Sequence, residues 1–147
     1  MIRIVIPGAP TGKGRPKIVK IGGFSRMATP QKTVAYEGLV AHAAQQAMQG
    51  RPLFDAAVGV NLFIDAAVPP SWSGKKQRMA LAGEVLPTTK PDADNVVKAI
   101  FDGLNGVLWR DDVLVVDLRV RKRYAATPCV RVEVWSVEQP VQMEVAA

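Results

Sequence analysis

The sequence predicts an α/β (α+β) fold: a small mixed β-sheet packed against helices, in a single domain over residues 1–147. Three observations lead there. Apolar residues alternate, or β-branched residues cluster, at 1–6, 57–67, 113–120 and 130–137, and each run reads as a strand. Two other stretches, 30–48 and 95–104, repeat apolar residues at helical spacing. A chain of 147 residues that is 48% hydrophobic can bury one good core, and it is short for two.

The first strand, 1–6, ends at Pro7-Gly8. The loop GAPTGKGRPK follows, and counting rules it out as a phosphate loop. Three residues separate Gly8 from Gly12, and Lys13 precedes glycine where a metal-binding serine or threonine belongs. What remains is a basic loop whose Lys13, Arg15 and Lys17 suit phosphates rather than bases. Residues 18–24 read as a short hairpin around Gly22-Gly23. The helix 30–48 carries proline in its first turn and Gly50 past its end. Val34, Leu39, Val40 and Ala43 or Ala44 form its expected packing face, against the sheet or a second copy of the chain. Arg26 and Lys32 at its start are expected on phosphates.

The run 57–67 reads as a central strand, with Asp65 near its end approaching the acidic residues described below. The segment 69–87 mixes aromatic and basic character through Trp72, Lys75, Lys76 and Arg78, with a short helix ending near Gly83. Two readings stand for it: a clamp that stacks on splayed DNA, and a surface helix with Trp72 tucked beneath. Strands 113–120 and 130–137, joined by a turn at 125–128, read as a hairpin. Leu114, Val116, Leu118 and Val120 share one face of the first, and Arg119, Arg121 and Arg123 form a basic row on the other. Residues 140–147 read as a loose tail.

The chain turns on residues 90–122. Six of its thirteen acidic residues fall there, in a protein of net charge +6. The helix is expected to start at about Asn95 with Asp94 as N-cap. Val96, Val97, Ile100, Phe101 and Leu104 then face inward, and Asn95, Lys98 and Asp102 outward. Asp94 and Lys98 form an acid–base pair at helical spacing, and Gly103, Asn105 and Gly106 end the helix. A tight turn carrying Asp111-Asp112 folds back towards Asp92 and Asp94. Clustered carboxylates repel unless protonated or bridged, and hard divalent ions take oxygen ligands of this kind. Asp92, Asp94 and one of the later pair therefore read as a cation cage. The rival reading is structural: aspartates at helix caps and in turns are common.

Spacing excludes other chemistries. An EF-hand starting at Asp92 needs glycine and glutamate where Val97 and Gly103 stand. An aspartyl-phosphate hydrolase wants an apolar strand where Thr88, Thr89, Lys90 and Pro91 stand. One cysteine, Cys129, and one histidine, His42, exclude Cys/His zinc sites and an intramolecular disulfide, and leave a Ser-His-Asp triad without support. The net positive charge favours nucleic acid over membrane. With no signal peptide or membrane-length apolar segment, a cytoplasmic protein is expected.

The motif KPDADN, a helix carrying Lys98 and ending in FDGLNG, then RDD and a valine-rich strand, resembles the RusA-type Holliday-junction resolvases. The resemblance is specific over 90–122 and extends loosely to the whole chain, including the early GRPK. The segment 69–87 is longer than in compact members and is similar to phage and prophage versions. The resemblance implies a small α/β homodimer that uses Mg²⁺, or Mn²⁺ in its place, to nick two strands of a four-way DNA junction symmetrically, in recombination and repair. It places the catalytic carboxylates on Asp92, Asp94 and Asp112 and the essential lysine on Lys98, with Asp111 in the same motif. Lys13, Arg15, Lys17, Arg26, Lys32, Lys75, Lys76, Arg119 and Arg121 are the expected DNA contacts, and no organic cofactor or membrane is implied. Two other readings stand: a DNA-binding module whose acidic cluster is structural, and a nuclease or phosphatase acting on RNA or flaps.

Overall fold

Residues 1–138 are described by a computed structural model of the chain; the expected loose tail lies outside the described residues. The elements run β1 (Ile2–Pro7), β2 (Lys17–Ile21), β3 (Phe24–Ala28), α1 (Gln31–Met48), β4 (Val58–Ala67), α2 (Gly74–Leu81), α3 (Ala93–Leu104), a 3₁₀ turn (Asp112–Leu114), β5 (Val115–Ala125) and β6 (Cys129–Ser136). Four strands form one mixed sheet in the order β1-β6-β4-β5, and β2 and β3 form a separate ribbon.

The alternation that marks the strands also sets the layers. Ile2, Ile4 and Ile6, Val130, Val132 and Val134, and Val60, Leu62 and Ile64 point to one face of the sheet. There they join Tyr36, Val40, Ala44 and Met48 of α1, and Val96, Ile100 and Leu104 of α3, in one core. The reverse face carries Arg3, Asn61, Asp65, Arg131 and Glu133, tied by Arg3–Glu133 and Arg131–Asp65 ion pairs. One apolar face and one polar face are what a two-layer α+β domain requires.

Three expectations change here. β5 and β6 are not a hairpin, because β4 lies between them, pairing antiparallel with β6 and parallel with β5. β4, with Val58, Val60, Leu62 and Ile64 almost wholly buried, is the most apolar strand and takes the centre. β5 begins later than expected, because the 3₁₀ turn occupies its first residues and a register shift at Val58/Gly59 interrupts its early pairing. On α1 the buried positions are Thr33, Tyr36, Val40, Ala44 and Met48, three or four residues apart, which turns Val34 and Leu39 outward. His42 is exposed.

α1 and α3 touch where Gly103 faces α1. A Cβ on Gly103 would stand 2.7 Å from Val40 Cβ and 2.9 Å from the Glu37 carbonyl oxygen. Gly103 therefore permits close helix contact and does not end α3. Asn105 is the C-cap and Gly106, at φ 80°, follows it.

Candidate active site

α3 starts two residues earlier than the sequence suggested. Ala93 is a good helix former, and an acidic residue in the first turn is favoured by the positive end of the helix dipole. Asp92 is thus the N-cap and Asp94 lies inside the first turn. The Asp92 carboxylate makes no capping hydrogen bond; its main-chain oxygen accepts from Val96 N at 3.1 Å. Capping therefore does not explain either carboxylate, and both residues are exposed.

Asp111 and Asp112 are placed by the residue before Arg110. Trp109 is fully buried, meets Phe101 of α3 edge-on at 5.4 Å, and donates from Nε1 to Asn105 Oδ1 at 2.7 Å. Main-chain contacts extend the anchor: Phe54 N donates to Leu108 O at 2.9 Å, and Gly106 N to Trp109 O at 2.7 Å. The chain then turns through Asp112–Leu114 into β5. Lys122 of β5 reaches back to the Thr89 carbonyl at 2.5 Å, fastening the strand to the segment that leads into α3.

These anchors bring Asp94, Lys98 and Asp112 to one open hollow of about 440 Å³, floored by Val97, Phe101, Val115 and Leu118. Asp92 lines a second hollow of about 440 Å³, with Gly12, Lys13, Gly14, Pro30, Lys32, Lys90 and Asn95. Asp111 instead faces Leu53, Phe54, Asp55 and Arg110. Asp65, near the end of β4, pairs with Arg131 at 2.8 Å on the reverse face of the sheet, away from this cluster, because strand alternation turns it from the helices. Among the described residues, no three acidic, histidine or cysteine side chains are drawn together as a ready-made metal cage. The donor set nonetheless fits Mg²⁺, which keeps several waters and takes one or two carboxylates together with substrate phosphate oxygens. Asp94 and Asp112 offer such oxygens on an open hollow.

Lys98 does not pair with Asp94. Its ammonium lies 3.1 Å from Asp102 Oδ1, the next acid along the same helix face. Asp102 wins because it is more enclosed and already held by Lys13 at 2.9 Å, while Lys13 is held in turn by Glu37 at 2.6 Å. Lys13, an expected phosphate contact, thus ties the basic loop to α1 and α3, and Lys13 N donates to Asn95 O at 2.9 Å beside it. Burial alone would raise the Asp102 carboxyl, but hydrogen bonds from Lys13 and Lys98 outweigh it and hold the group below its ordinary 3.8. Burial alone would lower Lys13, but hydrogen bonds to Glu37 and Asp102 raise it above its ordinary 10.5.

A depressed carboxyl stabilises the fold above its unfolded value, and that support disappears as pH falls through the folded value. For Asp102 the loss comes below pH 3.8. For Lys13 the sign is opposite: its support is complete below pH 10.5 and is lost as pH rises through the raised value. Asp102→Asn is expected to flatten the acid limb of a stability-against-pH curve measured by urea unfolding. An unchanged acid limb would show that the network does not stabilise the fold.

The family described as Endodeoxyribonuclease RusA matches residues 7–135, from the end of β1 to β6. The chain belongs to the RusA endodeoxyribonuclease family. It is also 35% identical over 138 residues to the uncharacterized protein YqaN of Bacillus subtilis, covering 92% of this chain and 96% of that one. RusA-family proteins are endodeoxyribonucleases, hydrolases of DNA phosphodiester bonds. Among the described residues, no helix is long and apolar enough to cross a membrane.

The expected DNA contacts of this RusA-family chain divide by place. Lys32 lines the Asp92 hollow, and Arg15, Lys17 and Arg26 lie on the exposed loop and ribbon beside it. Arg119 and Arg121 pair in register with Asn61 and Phe63, so they stand on the sheet face opposite α3. In the 69–87 segment, Trp72 packs edge-on against Tyr124 at 5.3 Å and Lys76 covers its ring at 3.9 Å, while Lys75 stays exposed. Trp72 is therefore the tucked residue of the two readings. Asp102, Glu37 and Trp109 were not singled out from sequence as contributors to the site. The Lys98–Asp102 spacing of four residues was a visible signal for the first.

Proposed function

We propose that the chain is a divalent-metal-dependent nuclease that resolves four-way DNA junctions by paired symmetric nicks. The observation that carries this reading is the shared hollow: Asp94 and Lys98 of α3 and Asp112 of the 3₁₀ turn line one accessible space in a RusA-family chain. Asp94 and Asp112 hold the metal, with Asp92 contributing from across the start of α3. Bound Mg²⁺, or Mn²⁺ in its place, supplies an acidified water and positive charge for the attacking and leaving oxygens. Lys98, exposed at its tip, leaves Asp102 to neutralise charge on the phosphate as it becomes five-coordinate. Lys32 and Lys90 in the adjacent hollow hold the strand backbone against acidic repulsion.

A homodimer suits a two-strand cut. β5 supports it: this long edge strand has one sheet neighbour, and Val116, Leu118 and Val120 on it are exposed. A second copy covering that edge would remove an aggregation-prone surface. The chain acts on nucleoid DNA in the cytoplasm.

The test is an end-labelled four-way junction offered to the full chain with Mg²⁺, with Mn²⁺ and with EDTA, beside linear duplex, flap and RNA competitors. The expected result is symmetric nicking of the junction with either metal and none in EDTA. Tight junction binding without cutting under any metal would favour the DNA-binding module instead.

A further inference from the structure

The β2–β3 ribbon stands apart from the main sheet and pairs with none of its strands. It carries an unusual load of exposed apolar residues: Phe24 is 80% exposed, Ile18 71%, Met27 63% and Ile21 57%. An isolated two-stranded ribbon is marginal in water, so a partner that covers these groups would stabilise it. Its charge says what partner. From Gly8 to Thr29 the chain holds Lys13, Arg15, Lys17, Lys20 and Arg26 and no acidic residue. A second copy of this chain, itself of net charge +6, would bring like charge to a basic ribbon; DNA would bring the opposite.

The turn and register sharpen the shape. Gly22 and Gly23 both adopt positive φ, 56° and 83°, as a two-residue hairpin turn requires. Ile21 pairs with Phe24 at the tip, and Val19 with Arg26 and Lys17 with Ala28 follow on the same face. The apolar groups thus lead and the cations follow. The root is fixed beside the site: Gly14 N donates to Thr33 Oγ1 at 2.9 Å, and Gly14 and Pro30 line the same hollow as Asp92. Five residues per strand put the tip about 15 Å from the ribbon's root.

We propose that this ribbon is a wedge for branched DNA. Phe24, with Ile21 beside it, enters an opened base step and stacks on an exposed base, while Lys17 and Arg26 on the same face hold the flanking phosphates. The wedge rests on the nuclease reading above and names how that site recognises a branch.

The experiment uses the full chain and a four-way junction carrying 2-aminopurine at the branch, in EDTA so that binding is read without cutting. The parent chain is expected to raise the fluorescence on binding. Phe24→Ala should abolish the rise and weaken junction binding on the order of tenfold, with linear-duplex binding unchanged. Because Phe24 is exposed, the variant keeps its fold, and Phe24→Trp should restore both signals. Arg26→Ala should weaken junction and duplex alike and reduce the salt dependence by about one unit of slope. If Phe24→Ala binds and opens the junction like a parent chain that cuts it, the wedge is overturned and the nuclease reading stands. If the parent neither prefers nor cuts junctions, both fall. A Phe24→Ala chain that sediments as a smaller species with its fluorescence rise intact would assign the ribbon to a second copy, and would also overturn the wedge.

Discussion

Asp94→Asn and Asp112→Asn are each expected to slow junction cutting by about a thousandfold or more, while the junction is bound as tightly as before or tighter. Asparagine keeps the shape of aspartate but loses the charge that holds a divalent ion. Several kcal/mol of transition-state stabilisation is at stake, and each ~1.4 kcal/mol is a factor of ten. Binding should not suffer, because removing a negative charge eases the approach of phosphate. The fold should not suffer either: neither carboxylate is ion-paired among the described residues, and Asp94 is exposed. Asp92→Asn is expected to act in the same direction. Single-turnover cutting and gel-shift binding on the same junction would read both effects, and full activity in the Asp94 and Asp112 variants would remove the proposed site.

Trp109→Ala is expected to destabilise the domain by about 3–5 kcal/mol, the usual cost of deleting a large buried aromatic side chain. That is a large part of the ~5–15 kcal/mol available to a domain of this size. The loss combines a cavity under α3, the missing edge contact with Phe101, and an Asn105 amide oxygen left without its donor. Cutting should fall with it, since Trp109 fixes the turn that presents Asp112. Trp109→Phe keeps most of the volume and loses only the hydrogen bond, so its cost should be about 1–2 kcal/mol. Urea unfolding of the three chains tests this ordering, and a Trp109→Ala midpoint within error of the parent would refute it.

Much of this was legible in the chain because local pattern and tertiary demand agree. The alternation of Ile2, Ile4 and Ile6, and of Val130, Val132 and Val134, marked strands that are present. The amphipathic run from Val96 to Leu104 marked α3 and its buried face. Pairing order was not legible. A short turn between two β-branched runs suggests a hairpin, and nothing local says that β4 will insert between them. Nor were the ion pairs. Lys98 has an acid four residues away on either side, and only the three-dimensional position of Lys13 decides for Asp102. Trp72 was ambiguous for a similar reason: an aromatic residue among cations reads equally as a stacking platform or as a residue capped by its own lysine.

The strand order has a consequence for synthesis. β1 has β6, the described strand farthest from it along the chain, as its sheet neighbour, and β4 also waits for β6 on one side. The sheet therefore cannot close until β6 has left the ribosome. Long-range pairings of this kind fold slowly, because the whole intervening loop must be ordered before any contact rewards it. Until then Ile2, Ile4 and Ile6 remain uncovered on the nascent chain, a natural place for a chaperone to hold it.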